Sequence, residues 1–139
     1  MNLQQAKFEM KRRLLGAVRQ VAFEIQEKIV MRTPIDTGRA KASWRLNPNV
    51  ADPSFEPDLT GDGEELLFPS QALIVAKTQQ QKIPFGTKRI VISNNLHYIE
   101  KLENGGSRQA PVGMVAITVH KGAVNAMFAR AMAAQVTPF

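Results

Sequence analysis

The sequence predicts an α+β domain, a small antiparallel sheet covered by a long N-terminal helix and a C-terminal helix. Residues 3–31 contain no proline and place Leu14, Val18, Val21, Ala22, Ile25 and Ile29 at three- and four-residue spacing, the pattern of one apolar helix face. Short strand-like runs recur at 43–46, 89–93 and 114–119, the last two rich in β-branched residues, separated by helical patterns rather than tight hairpin turns. With 139 residues, 44% apolar and 22% charged, the chain fits one domain over 1–139 with one real core.

The elements follow in order. The first helix has a length of roughly 28 residues, about 42 Å, more than a core of this size requires. Lys7, Lys11, Arg12, Arg13, Arg19 and Lys28 fall largely on its other faces, so its basic first half either projects toward a partner or wraps the domain. Pro34 stops it at Thr33. Asp36 is placed to cap a short helical turn, and Gly38 relaxes the backbone before a strand at Ser43–Leu46. Trp44, the single tryptophan, reads as a core anchor rather than a binding platform.

Residues 47–63 hold three prolines, two glycines and most of the acidic block of 46–66, and are expected to form a long loop, either functional or ordered only by a partner. A helix is expected from Pro69 through the QQQ run, although Ile74 and Val75 also suit a strand. A strand over Arg89–Ser93 ends at Asn94 and Asn95, whose side chains suit turns and positive backbone angles. Leu96, Tyr98, Ile99 and Leu102 show partial helical spacing, and Gly105 and Gly106 supply its stop. A strand is expected at Met114–Val119. The last helix, about 123–135, presents Val124, Met127, Phe128, Ala131 and Met132 on one face.

Composition excludes several function classes. The absence of cysteine removes disulfides, thiol chemistry and cysteine metal sites. No apolar run approaches the ~18 residues needed to span a bilayer, and the charged start MNLQQAKFEMKRR lacks a signal-peptide core, so a cytoplasmic origin is expected. His97 and His120 stand far apart. Glu100 and Glu103 continue the face of His97 but read as a solvated face, because a metal needs further ligands that the sequence does not nominate. No nucleophile elbow, phosphate loop or dinucleotide motif is present; no enzyme, cofactor or metal is expected.

The net charge of +6 invites a nucleic-acid reading, yet no aromatics interleave with the basic residues as RNA-reading motifs require. The charge is also segregated: ten Lys/Arg against four Asp/Glu in 1–45, none against six in 46–66, eight against two in 67–139. That division suits a subunit whose separate surfaces meet separate neighbours, or equally a solvated acidic loop on a basic domain.

Two blocks, RTPIDTGRAKASW at 32–44 and ISNNLHYIEKLENGGSRQAPVGMVAITV at 92–119, resemble the tail-completion or neck proteins of long-tailed bacteriophages, which join head to tail. The matching residues are Thr33, Pro34, Asp36, Thr37, Gly38, Ser43 and Trp44, then Asn94, Asn95, Tyr98, Glu103, Gly105, Ser107, Gln109, Ala110, Pro111, Gly113 and Met114. His97 stands where the family pattern has proline.

The resemblance implies a non-catalytic virion protein, made in the host bacterial cytoplasm. It also implies assembly with copies of itself in a ring, expected to be hexameric, between neighbouring neck and tail-tube proteins, with passive DNA contact in the channel and no membrane. Within virion proteins the alternative is a tail terminator capping the tube; from another class it is a basic nucleic-acid-binding module. Asn94, Asn95 and Glu103 either hold turns or contact a neighbouring subunit. Asp58, Asp62, Glu64 and Glu65 either face the DNA channel or dock on a basic neighbour.

Overall fold

The first helix, α1, spans Leu3–Arg32 and is held at both ends. The Asn2 side chain accepts from the Gln5 amide at 2.8 Å while the Gln5 side chain accepts from the Asn2 amide at 3.0 Å, a reciprocal cap. At the other end the Thr33 hydroxyl donates to Ile29 O at 2.7 Å, and Lys41 Nζ donates to Val30 O at 2.9 Å. These bonds occupy carbonyls that a helix end otherwise leaves unpaired. A computed structural model describes residues 2–34, 39–54 and 83–135. Asp36, Thr37, Gly38, Asp58, Asp62, Glu64, Glu65 and the helix expected from Pro69 lie outside the described residues.

A short helix α2 (Arg39–Ala42) leads into strand β1 (Trp44–Pro48), which pairs antiparallel with β2 (Ile90–Asn94). The register sets Trp44 opposite Asn94, Leu46 opposite Ile92 and Pro48 opposite Ile90. Asn49 ends the pairing. At φ 67 it adopts the left-handed conformation asparagine tolerates, and its Oδ1 accepts from the Lys88 amide at 3.1 Å. Helix α3 (Ile99–Glu103), helix α4 (Val115–Thr118) and the C-terminal helix α5 (Lys121–Ala134) complete the described elements. The expected α+β fold is therefore present, with a sheet of two strands among the described residues.

Three apolar clusters line α1 in succession. Ala17 and Val21 pack on Met127 and Ala131 of α5, Ala22 packs with Leu46 and Ile83, and Ile29 and Val30 pack with Trp44, Ala110 and Met114. The Trp44 ring is buried as an anchor, and its Nε1 donates to the Thr33 hydroxyl at 2.8 Å.

Four expectations are corrected. Met114–Val119 is not a strand: the carboxylate of Glu103 takes the amides of Met114, Val115 and Ala116, which starts a helical turn instead. Met114 and Thr118 then point inward four residues apart, and the Thr118 hydroxyl donates to Met114 O at 2.6 Å, so one turn of helix satisfies this run. Leu14 and Val18 stay 49% and 37% exposed, because the core reaches α1 through Ala17, Val21, Ala22 and Gln26 rather than through the expected stripe. Phe128 likewise remains 37% exposed on α5. Asn94 and Asn95 do not take positive backbone angles, and their side chains do the bonding.

Candidate functional site

The described residues of the two motif blocks meet at the C-terminal end of α1. Lys41, on α2, reaches back to Val30 O at 2.9 Å and Met31 O at 3.3 Å, placing a cation on the negative end of the helix dipole. Its side chain is buried, and desolvation pulls its pKa below the ordinary lysine value. From the other block, Asn94 Nδ2 donates to Ala40 O at 2.9 Å and its Oδ1 accepts from the Leu96 amide at 3.1 Å, so this asparagine ties the end of β2 to α2. Asn95 Nδ2 donates to Asp52 O at 2.9 Å and fixes the chain leaving the sheet.

The turn between α3 and α4 is built around Glu103. Its oxygens accept from Met114, Val115 and Ala116 at 2.8, 2.9 and 2.9 Å. Partial burial works to raise its pKa, but the three backbone donors together hold the carboxyl below the usual carboxylate value. Gly105 at φ 85 ends α3, and Gly113 at φ 79 passes so close to the Glu103 carbonyl that a Cβ there would collide with it. Between the glycines, Ser107 Oγ accepts from the Gln109 amide at 3.2 Å, and Gly113 donates to Ala110 O at 3.1 Å. Glu103 is thus no solvated face continuing from His97. His97 precedes α3, lies exposed and meets Tyr98 edge-on at 5.1 Å, while His120 caps α5 by accepting from the Ala123 amide at 3.2 Å.

Together these elements enclose a cleft of about 400 Å³ lined by Thr33, Pro34 and Lys41 on one side and by Gln109, Ala110 and Pro111 on the other. Arg32 crosses toward α4, donating to the Thr118 hydroxyl. Ala110 is buried in the core while Pro111 is exposed, so the AP turn anchors itself through one residue and presents the next. Around the mouth, Met31, Val112 and Ile117 are 55%, 63% and 40% exposed. An apolar rim over hydrogen-bonded turns suits contact between proteins.

Sequence reasoning did not single out three features here: the burial of Lys41, the Thr33–Trp44 bond and the apolar rim. The only hint was that each of these residues lies within or beside a motif block. Among the described residues no three His, Asp or Glu side chains come together to hold a metal ion, and no helix is long and apolar enough to cross a membrane. No family model, curated protein or solved structure matches the chain.

Proposed function

We propose that the chain is a non-enzymatic structural subunit of the neck or tail end of a long-tailed bacteriophage, one of a ring of copies that joins head to tail. The observation that carries this reading is the convergence of the two motif blocks on the cleft at the end of α1. Most of their described polar side chains are engaged in holding backbone turns, and what the turns present outward is the apolar rim of Met31, Val112 and Ile117. A surface built this way binds by fit to another protein rather than by chemistry on a small substrate. The resemblance supplies the assembly in which that contact would act.

The decisive experiment is electron microscopy of lysates from a phage carrying a stop codon in this gene. Complete but unjoined heads and tails of normal length are expected. Overlong tails would favour the terminator role. Intact infectious particles would overturn the neck reading, and a gel shift that weakens steeply with salt would then favour the basic nucleic-acid module.

A further inference from the structure

A second surface lies far from the first. The loop before β2 folds back along the N-terminal half of α1, where the Phe85 ring meets Phe8 with centroids 5.3 Å apart. Between them runs a groove of about 440 Å³ whose apolar lining includes Leu14, Val18 and Phe85, with Lys11, Lys88 and Arg89 along its edges. Leu14 and Phe85 remain 49% and 55% exposed, and the three cations are exposed with no acidic partner among the described residues. Glu9, the nearest acid along this part of α1, is taken up by Arg12 at 3.0 Å and Arg13 at 3.7 Å.

We infer that this groove receives the acidic segment 55–68 of a second copy of the chain. The segment reads FEPDLTGDGEELLF: five carboxylates, no basic residue, and apolar side chains at Phe55, Leu59, Leu66, Leu67 and Phe68. Its composition complements a groove with an apolar floor and a cationic rim. Carboxylates meet Lys11, Lys88 and Arg89 at the edge while apolar side chains cover Leu14, Val18 and Phe85.

Chain length permits the exchange. Residues 55–82 separate Ser54 from Ile83, and half of that length of chain spans at most roughly 45 Å at about 3.3 Å per residue. The exchange is also heterologous, with one surface giving and a different surface receiving, which is the geometry that closes rings. The groove lies about 27 Å from the α1 C-terminal cleft, taking the 18 residues from Leu14 to Arg32 at about 1.5 Å each. One subunit thus has room for both contacts. The inference rests on the ring reading only for the identity of the second copy.

The test uses the purified full chain and a fluorescein-labelled peptide of residues 55–68, followed by fluorescence anisotropy. Saturable binding is expected, weakening as salt rises. The exposed substitutions K11E, K88E and R89E combined should weaken it at least tenfold while circular dichroism and Trp44 fluorescence stay unchanged. A peptide carrying D58N, D62N, E64Q and E65Q should bind the wild-type chain at least tenfold more weakly, which tests the same contact without touching the fold. Absence of binding, or binding indifferent to both sets of changes, would overturn the inference. Binding that emerges only after the chain's own segment is neutralised would assign the groove to that chain's own residues and overturn the second-copy assignment. Capture of duplex DNA but not of the peptide would make the groove a nucleic-acid surface and overturn it as well. None of these outcomes bears on whether heads and tails join in the mutant phage.

Discussion

Replacing Glu103 with glutamine tests whether this motif acidic residue holds the fold or meets a neighbour. Its two oxygens accept three backbone N–H groups, with Oε2 taking Met114 and Val115 and Oε1 taking Ala116. Glutamine keeps one acceptor oxygen and turns an NH2 toward at least one of those donors. The remaining bonds lose their charge, and hydrogen bonds to charged groups contribute about 1.5–3 kcal/mol each against roughly 1 for neutral ones. With the amide oxygen kept at the Oε2 position, Ala116 loses its partner while the bonds from buried Met114 and from Val115 lose their charge. A destabilisation of about 2–3 kcal/mol is expected, or roughly 6–9 °C in Tm at about 3 °C per kcal/mol for a chain of this size.

The pH dependence provides a second reading of the same interaction. Because the folded carboxyl sits below its ordinary 4.5, its stabilisation is present above that value and fades as pH falls through the folded pKa. The gap between wild type and E103Q, measured by thermal melts across an acid series, should therefore persist down to 4.5 and close only as pH falls further, through the folded pKa. A variant that melts with the wild type at neutral pH would refute the reasoning. If that same variant left heads and tails unjoined, Glu103 would be a contact residue instead.

Four further outcomes are expected. Lys41 has a depressed pKa, so between its folded value and 10.5 the unfolded chain holds more protons than the folded one; wild type should gain stability relative to K41M as pH rises toward 10.5, measured by urea titration. Trp44→Phe removes the 2.8 Å bond to Thr33 inside the core and should cost about 1–3 kcal/mol by the same assay. Gln26 is 1% exposed and neither of its amide atoms has a hydrogen-bond partner among the described residues, so Gln26→Met, of similar volume, should raise stability by about 1 kcal/mol or more; a loss would show that the amide is bonded in solution. Val112→Asp, at a position 63% exposed, should leave the Tm within about 2 °C of wild type, as surface changes usually do, yet yield unjoined heads and tails in phage.

What could be read from the sequence divides along a physical line. The long helix, the stop at Pro34, the Trp44 anchor and strands near 43–46 and 89–93 were legible, because period, proline and strand-prone side chains are local properties, whereas the pairing of those two strands is not local and was not read. The conformation of Met114–Val119 was not. Its β-branched residues argue for a strand, and only a carboxylate eleven residues earlier, bent back by the turn at Gly105, supplies the acceptors that make a helical turn cheaper. The burial of Lys41 escaped for the same reason: nothing adjacent to it marks the carbonyls of Val30 and Met31 as its partners. Of the candidate site, the resemblance nominated the residues. Whether Asn94, Asn95 and Glu103 hold turns or meet a neighbour stayed open there, and in the fold all three bond backbone groups.

The length of α1 acquires a physical rationale from this division. The apolar clusters touch the helix from Leu15 to Val30, so Leu3–Leu14 extends past the core, with Leu3, Met10 and Leu14 being 72%, 71% and 49% exposed. A free helix of that length is marginal in water, since isolated helices shorter than ~12–15 residues rarely hold. This one is continuous with a packed helix, capped reciprocally at Asn2 and Gln5, and braced by Phe85 against Phe8. An extension stabilised in these three ways would lose little backbone entropy in the proposed contact. Spacings of seven, four and four residues put Leu3, Met10, Leu14 and Val18 on one side, and Leu14 and Val18 line the same groove as Lys11, Lys88 and Arg89. The part of α1 that lies past the apolar clusters of the described residues is thus the part that carries the proposed groove.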